Sequence, residues 1–466
     1  MLDRDPSTIS VVQALLEPKS IAIVGASARE GSVSARPLEL LLRHGYAGNI
    51  YPVNPRYEQI GATPCFSDLS AIGEQVDLVL SMVPAAATID VVRAAGNVGA
   101  KVVVVFASGF AEIGAEGAAL QEQLVAEAKR ANVRVLGPNC QGAINPSAAV
   151  FATFTAAAQR DLASGSGVAF VGQSGAVGGS VLDMAAELGL SLDAWVATGN
   201  QADLDLVEVA TALIADEKIR TVLMYAEGIS DVSGFERLCA AAHAADKSLV
   251  LLRSGRSVVG KRAAAAHTGA VLGADDTVLR AARQHGVMLV DDVDELLAAP
   301  MMLTGRMIGG RNLAIITTSG GGGILLADHC DAHGLRVREL SERTQRSLEQ
   351  FVPAFGSVSN PVDVTAQILN TPTAFEDFAQ VCAISAADPD VDGVAIVLTM
   401  VTGKRGADLA RAIVDAMTNA DTKPVWVAWL ASRSQTAEGR DVLRAGGVPT
   451  FDSVGALARA VAQLAP

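Results

Sequence analysis

At 466 residues, half of them hydrophobic, the chain is too long for one core and suits about three domains of ordinary size. A net charge of −14 leaves no basic field to release the counterions of a nucleic acid, which excludes nucleic acid as a partner class. Cys65, Cys140, Cys239, Cys330 and Cys382 are scattered, with no CxxC pair or His/Cys cluster, which argues against a disulfide framework or a metal site and for a reducing cytosol.

No stretch reaches the roughly 18–20 apolar residues that span a bilayer. Met1 to Pro6 contain no basic region leading into an apolar run, so no secretory signal is read there. A cytoplasmic protein without membrane attachment is the expectation.

The first predicted strand, Ser20 to Val24, runs into a turn holding Gly25, Ser27, Gly31 and Arg36. Further strands are predicted at 49–53, 77–81, 101–106 and 133–136. The unbroken apolar run at 102–106 is what a strand covered on both faces requires. A linker is expected over 146–165. The pattern then restarts with a strand at 167–172 and the turn Gln173, Ser174, Gly175, followed by strands at 194–197, 221–225 and 249–252. Trp195, in the first of these, is expected in the core rather than lining a pocket. A second linker is expected at 300–311. The third start, at Asn312, leads through Ser319 to Gly323, with strands at 393–398 and 424–428. Three starts of the same kind, each a strand, a Gly/Ser turn and a helical pattern, predict an α/β chain of three parallel-sheet domains. Their expected bounds are 1–145, 146–300 and 305–466.

A Gly/Ser turn that opens a helix points backbone N–H groups along a favourable dipole and suits phosphate. The first turn is not GxGxxG, and the second strand ends at Asn54 and Pro55 with no carboxylate for ribose hydroxyls. NAD is therefore disfavoured, while a nucleotide-bearing ligand with another phosphate geometry is not; a tight turn that merely needs small residues is the competing reading. The second turn, Gly172-Gln-Ser174-Gly-Ala176, comes within one residue of a nucleophile elbow, and Ser174 precedes His267 as in an α/β-hydrolase. No HGGG-type oxyanion motif appears, and a hydrolase sheet has no need of two flanking domains of its own build.

His267 lies between Ala263–Ala266 and Thr268-Gly269, a setting that suits a nucleophile on a loop. Alone, such a histidine is more simply a surface or core residue. A carrier histidine needs one nitrogen free and the other held by a partner that fixes the tautomer. Glu227, at the predicted end of the strand that starts at Thr221, could serve, although a solvated loop residue is its plainer reading. With the phosphate-suited turn at 172–179, these residues describe a phosphohistidine pocket.

The motifs Ile23–Ser27, Gly45–Gly48 with Ile50–Pro55, Ser108–Glu112, Leu136–Cys140 with Gly142, Gln173–Gly175, Gly199–Asp203, Glu227–Gly228, His267–Ala270 and Asn360–Thr365 occur in a distinctive order. In them the chain resembles the NDP-forming acyl-CoA synthetase family, in its ADP-forming acetyl-CoA synthetase α-subunit branch. Succinyl-CoA synthetase α is a more distant relative. The resemblance implies an N-terminal Rossmann-like CoA-binding domain followed by two flavodoxin-like domains. It implies a reversible ligase in which phosphate displaces CoA to give an acyl phosphate, His267 takes the phosphoryl group and a loop delivers it to NDP. Glu227 matches the acid that steadies the histidine, and Gln173, Ser174 and Gly175 match the phosphate-binding turn. Gly25, Ser27, Arg36 and Asn54 are assigned to CoA, and Asn139 falls beside the thioester end. Ser34 departs from the family's usual glycine, and Ala266 from a common serine. No ATP-grasp region follows in this sequence, so the resemblance implies a partner ATP-grasp β-type subunit, in an α2β2 assembly, that supplies ATP/ADP and Mg2+. The substrate would be a small carboxylic acid. A non-catalytic CoA- or acyl-CoA-binding regulator of the same fold is the alternative; having both His267 and Glu227 favours the enzyme.

Overall fold

The computed structural model describes residues 6–260, 262, 275–304, 308–417 and 423–465, so His267 lies outside the described residues. The chain divides into two compact units, residues 1–293 and 294–466. The first holds two large sheets and a two-stranded one, and the second holds one large sheet.

Helix α1 (Pro6–Leu16) precedes β1 (Ser20–Val24), and α2 (Arg36–Arg43) follows the first glycine turn. Next come β2 (Asn49–Val53), a small hairpin of β3 (Gln59–Ile60) and β4 (Thr63–Pro64), β5 (Leu78–Ser81) and α3 (Ala85–Asn97). Then β6 (Val102–Val105), α4 (Ala115–Ala131) and β7 (Arg134–Leu136) complete the first sheet. Its order is β2-β1-β5-β6-β7, parallel throughout. Val102 to Val105 are fully buried, as an apolar run on a sheet covered on both faces must be.

The second sheet begins with a hairpin, β8 (Gly142–Asn145) and β9 (Val150–Thr153). It continues with β10 (Val168–Gly172), α5 (Gly175–Glu187), β11 (Ala194–Ala197) and α6 (Leu206–Ala215), then β12 (Thr221–Ala226), α7 (Val232–Ala244), β13 (Ser248–Arg253) and β14 (Met288–Val290). The order is β14-β13-β12-β10-β11-β8-β9, with β8 and β9 antiparallel at one edge. The stretch read as a linker at 146–165 therefore contributes a buried strand. Its run of four buried residues follows Ser147, Ala148 and Ala149 and is too short for a period to show. The second expected linker likewise starts inside the helix Val293–Thr304.

The third sheet comprises β15 (Leu313–Thr317), β16 (Val362–Asp363), β17 (Gly393–Thr399), β18 (Val425–Leu430) and β19 (Thr450–Phe451), in the order β16-β15-β17-β18-β19, all parallel. The helix Gly320–Ala332 follows β15 directly.

One topology thus recurs. β1, β10 and β15 each lie between the strand that follows in the parallel set and the next one, so the winding reverses at them. Ligands of doubly wound sheets bind outside the carboxyl ends at such switch points. All three glycine-rich turns follow these strands. The architecture is α/β, with a Rossmann-like first sheet and two flavodoxin-like sheets after it. No helix among the described residues is long and apolar enough to cross a membrane. Cys140, Cys239, Cys330 and Cys382 are buried, and burial pushes the first three thiols up to about 12, well out of the reactive range.

Candidate functional site

On the second sheet the chain leaves β10 at Gly172 and turns through Gln173 and Ser174 into α5. Ser174 is the N-cap: its Oγ accepts from the Val177 N–H at 3.3 Å. A serine used this way is not poised as a hydrolase nucleophile. Ser174→Ala is expected to cost about 1 kcal/mol in a denaturant titration of the 1–293 unit. A serine-directed fluorophosphonate is expected to leave the wild type unlabelled, and labelling that Ser174→Ala abolishes would restore the hydrolase reading.

Gln173 joins this turn to the end of β12. Its Oε1 accepts from the Glu227 N–H and, at 3.1 Å, from the Gly228 N–H, and its Nε2 donates to the Gly228 carbonyl at 2.6 Å. Its own backbone N–H bonds Tyr225 O at 3.1 Å. One side-chain amide thereby fixes the Glu227 turn beside the start of α5. Gln173, Ser174, Gly175 and Glu227 come together at the carboxyl edge. Burial raises the Tyr225 phenol, and the Glu227 carboxylate nearby raises it further.

Small residues on α5 permit close packing. A Cβ at Gly175 would stand 2.7 Å from Gln141 Cγ, and one at Gly178 would stand 3.1 Å from the Trp195 ring. Trp195 is fully buried and donates its indole N–H to Gly178 O at 2.8 Å, so it belongs to the core as the sequence suggested. A cavity of about 590 Å³ opens next to these elements, lined among others by Val177, Tyr225, Arg253, Ser254 and Gly260. Gly260 lies on the segment that leads to His267.

On the first sheet, Gly25 has φ +89 and donates its N–H to Val53 O at 2.8 Å. Only glycine adopts that backbone conformation without strain. Asn54 donates Nδ2 to Ala26 O at 2.8 Å and accepts from the Arg56 N–H at 3.0 Å, which ties the turn after β1 to the end of β2. Ser27 Oγ accepts from the Arg29 N–H at 3.1 Å. Gly25, Ser27 and Asn54 thus share one loop cluster. Arg36 starts α2 and reaches away to Phe154 O at 3.1 Å, on the segment after β9. In this loop the Ser32 Oγ is buried with no hydrogen-bond partner among the described residues, an atom that a bound ligand could satisfy.

Asn139, after β7, has φ +55 and donates Nδ2 to Asn200 Oδ1 at 3.2 Å. Asn200 in turn donates to Glu112 Oε2 at 2.5 Å and to Gln121 Oε1 at 3.1 Å. Burial pushes the Glu112 carboxyl up. The hydrogen bonds from Asn200 and from the Gly109 and Phe110 N–H groups outweigh it and hold the group below the usual range. Glu112 and Asn200 were visible as members of motifs but carried no assigned role. Gln141, whose Oε1 is buried without a partner among the described residues, gave no sequence signal. Among the described residues, no group of three or more His, Cys, Asp or Glu is placed to hold a metal ion.

Residues 19–146 match the CoA binding domain, residues 165–303 the succinyl-CoA ligase like flavodoxin domain, and residues 313–464 the ligase-CoA domain. The ADP-forming acetate–CoA ligase II subunit alpha of Pyrococcus furiosus is 31% identical over 454 residues, covering 96% of this chain and 96% of its own. The chain belongs to the NDP-forming acyl-CoA synthetase family. Among its relatives, the ADP-forming acetate–CoA ligase I of Archaeoglobus fulgidus is 34% identical over 94% of this chain. The chain spans 61% of that relative's length. The dinucleotide-forming acetyl-coenzyme A synthetase 1 of Ca. Korarchaeum cryptofilum, solved with phosphate and ADP, superimposes with a TM-score of 0.82 at 28% identity, covering 97% of this chain and 96% of that one. Within the family frame, Gly25, Ser27, Arg36, Asn54, Glu112 and Asn139 fall in the CoA-binding region, and Gln173, Glu227 and His267 in the flavodoxin-like one.

Proposed function

We propose that the chain is the CoA-binding, phosphohistidine-bearing part of an ADP-forming acid–thiol ligase. The reaction joins a small carboxylic acid to CoA with ATP, giving acyl-CoA, ADP and phosphate, and runs reversibly. The observation that carries this reading is the Gln173 clamp, which fixes the Glu227 turn beside the α5 N-terminus on one carboxyl edge.

In the direction of ATP synthesis, a phosphate oxygen attacks the thioester carbonyl and CoA leaves as its thiol, forming an acyl phosphate. A nitrogen of His267 then attacks phosphorus and the carboxylate leaves. Finally ADP takes the phosphoryl group and His267 is restored. The N–H groups at the start of α5, around Gly175, stabilise the charge on the phosphoryl oxygens, which is most of what such transfers ask of a protein. Glu227 holds the second imidazole nitrogen and stabilises the charged ring. Gly25, Ser27, Arg36 and Asn54 shape the loop that holds CoA, and Asn139 meets its thioester end. Residues 1–145 form the CoA-binding domain, 146–300 the phosphohistidine domain and 305–466 a third flavodoxin-like domain.

Relatives named as alpha subunits support a second polypeptide. We assign ATP/ADP and Mg2+ to an ATP-grasp β-type subunit in an α2β2 assembly, working in the cytoplasm. A non-catalytic CoA-binding regulator would gain nothing from the clamp on Glu227. The test is direct. With its ATP-grasp partner, labelled ATP and Mg2+, the chain is expected to carry an acid-labile, base-stable phosphoryl label. Absence of that label would overturn the reading.

A further inference from the structure

The segment 199–204, leaving β11, runs beside 134–139, leaving β7. Asn200 N–H bonds Pro138 O at 2.9 Å, Ala202 N–H bonds Gly137 O at 2.9 Å and Leu204 N–H bonds Val135 O at 3.1 Å. Arg134 adds ion pairs to Asp203 at 2.9 Å and Glu208 at 3.0 Å. The carboxyl edges of the first and second sheets are therefore joined here. The join is also close to the phosphate turn, because Thr198 donates its N–H to Gly172 O, next to Gln173, at 2.9 Å. A ligand carried by the first sheet and consumed on the second has its reacting end at this seam.

The side chains at the seam form a relay whose direction is set chemically. An ionised carboxylate only accepts hydrogen bonds. Glu112, held below the usual carboxylate range, therefore obliges Asn200 to turn its NH2 group toward it, and the Gln121 oxygen takes the second N–H. Asn200 Oδ1 must then accept, which turns the Asn139 NH2 toward Asn200. The Asn139 oxygen and its remaining N–H are left without a partner among the described residues. Its backbone is fixed as well, at φ +55 with the N–H on Ala107 O at 2.9 Å.

We propose that Glu112 and Asn200 are positioning residues for acyl transfer, fixing the Asn139 amide so that its free N–H meets the thioester carbonyl and its oxygen the CoA thiol. This rests on the function proposed above. No covalent step passes through the relay; it orients one amide from a distance. Replacing Glu112 with glutamine keeps the shape but supplies a donor, so the amides of Asn200 and Asn139 lose their enforced direction.

The test uses the complex with the ATP-grasp partner and separates the two half-reactions. Glu112→Gln is expected to leave labelling from ATP within about 2-fold of wild type. CoA-dependent turnover should fall about 100-fold through kcat, with KM for CoA within about 3-fold, as for a displaced reactive group. Glu112→Asp, which restores the acceptor-only group, should recover at least about 10-fold of that loss. Adding Glu112→Gln to Asn139→Ala should cost less than about 2-fold more, because the two act as one unit. Equal loss of both half-reactions, additive losses, or undiminished CoA turnover in Glu112→Gln would each overturn the relay. A wild type that takes no label from ATP overturns the proposed function and the relay with it. A wild type that labels normally beside a Glu112→Gln variant with full turnover overturns the relay alone.

Discussion

His267→Ala is expected to abolish phosphoryl uptake from ATP and to lower overall turnover by on the order of 10⁴-fold or more, the scale seen when a covalent nucleophile is removed. The substitution removes the imidazole and leaves every other side chain in place. Glu227→Gln is the graded companion. It retains the backbone N–H that Gln173 holds but cannot balance a positive imidazole, so phosphoenzyme formation should fall by about 10³-fold rather than vanish. Label incorporation and steady-state rates with the ATP-grasp partner check both. A label that persists on His267→Ala would place the carrier elsewhere.

Gly199→Ala should lower the stability of the 1–293 unit by about 3 kcal/mol. Gly199 has φ +59, and a Cβ there would run into Pro138 O and stand 2.5 Å from Asn139 O, both backbone atoms with no freedom to yield. The strain enters where the segment after β11 is bonded to the residues after β7, so the join between the sheets has to open. Denaturant titration followed separately for the two units reads the effect: the midpoint of 1–293 falls while that of 294–466 stays. Equal midpoints in variant and wild type would mean that the 137–139 turn adjusts freely.

Much of the fold was legible because its strands declare themselves. The run Val102–Val105 and the strands at 49–53 and 194–197 lie where the pattern put them. Some short strands did not announce themselves. Val362–Asp363, Thr450–Phe451 and the β8–β9 hairpin are too short for a period to emerge, and their identity comes from the neighbours they pair with. The site divides in the same way. Gln173, Ser174, Gly175 and Glu227 could be chosen from their places after strands, and they do meet. The sequence could not say that Gln173 spends its amide on the Glu227 turn, or that Arg36 reaches to Phe154 O, since both partners come from distant segments. Glu112 and Asn200 illustrate the limit most clearly, being 88 positions apart and joined only by the folded chain.

The β8–β9 hairpin also bears on how the chain is made. A ribosome releases residues in order, and the first sheet is complete once β7 has emerged at Leu136. The hairpin follows at once, yet the strand it must pair with, β11, is not translated until Ala197. In the interval α2 already offers a surface, through the stacking of His44 on Phe151 at 3.6 Å between ring centroids and the Arg36 bond to Phe154 O. The hairpin rests on the first sheet through its outer strand, β9, and the edge that β11 later completes is that of β8.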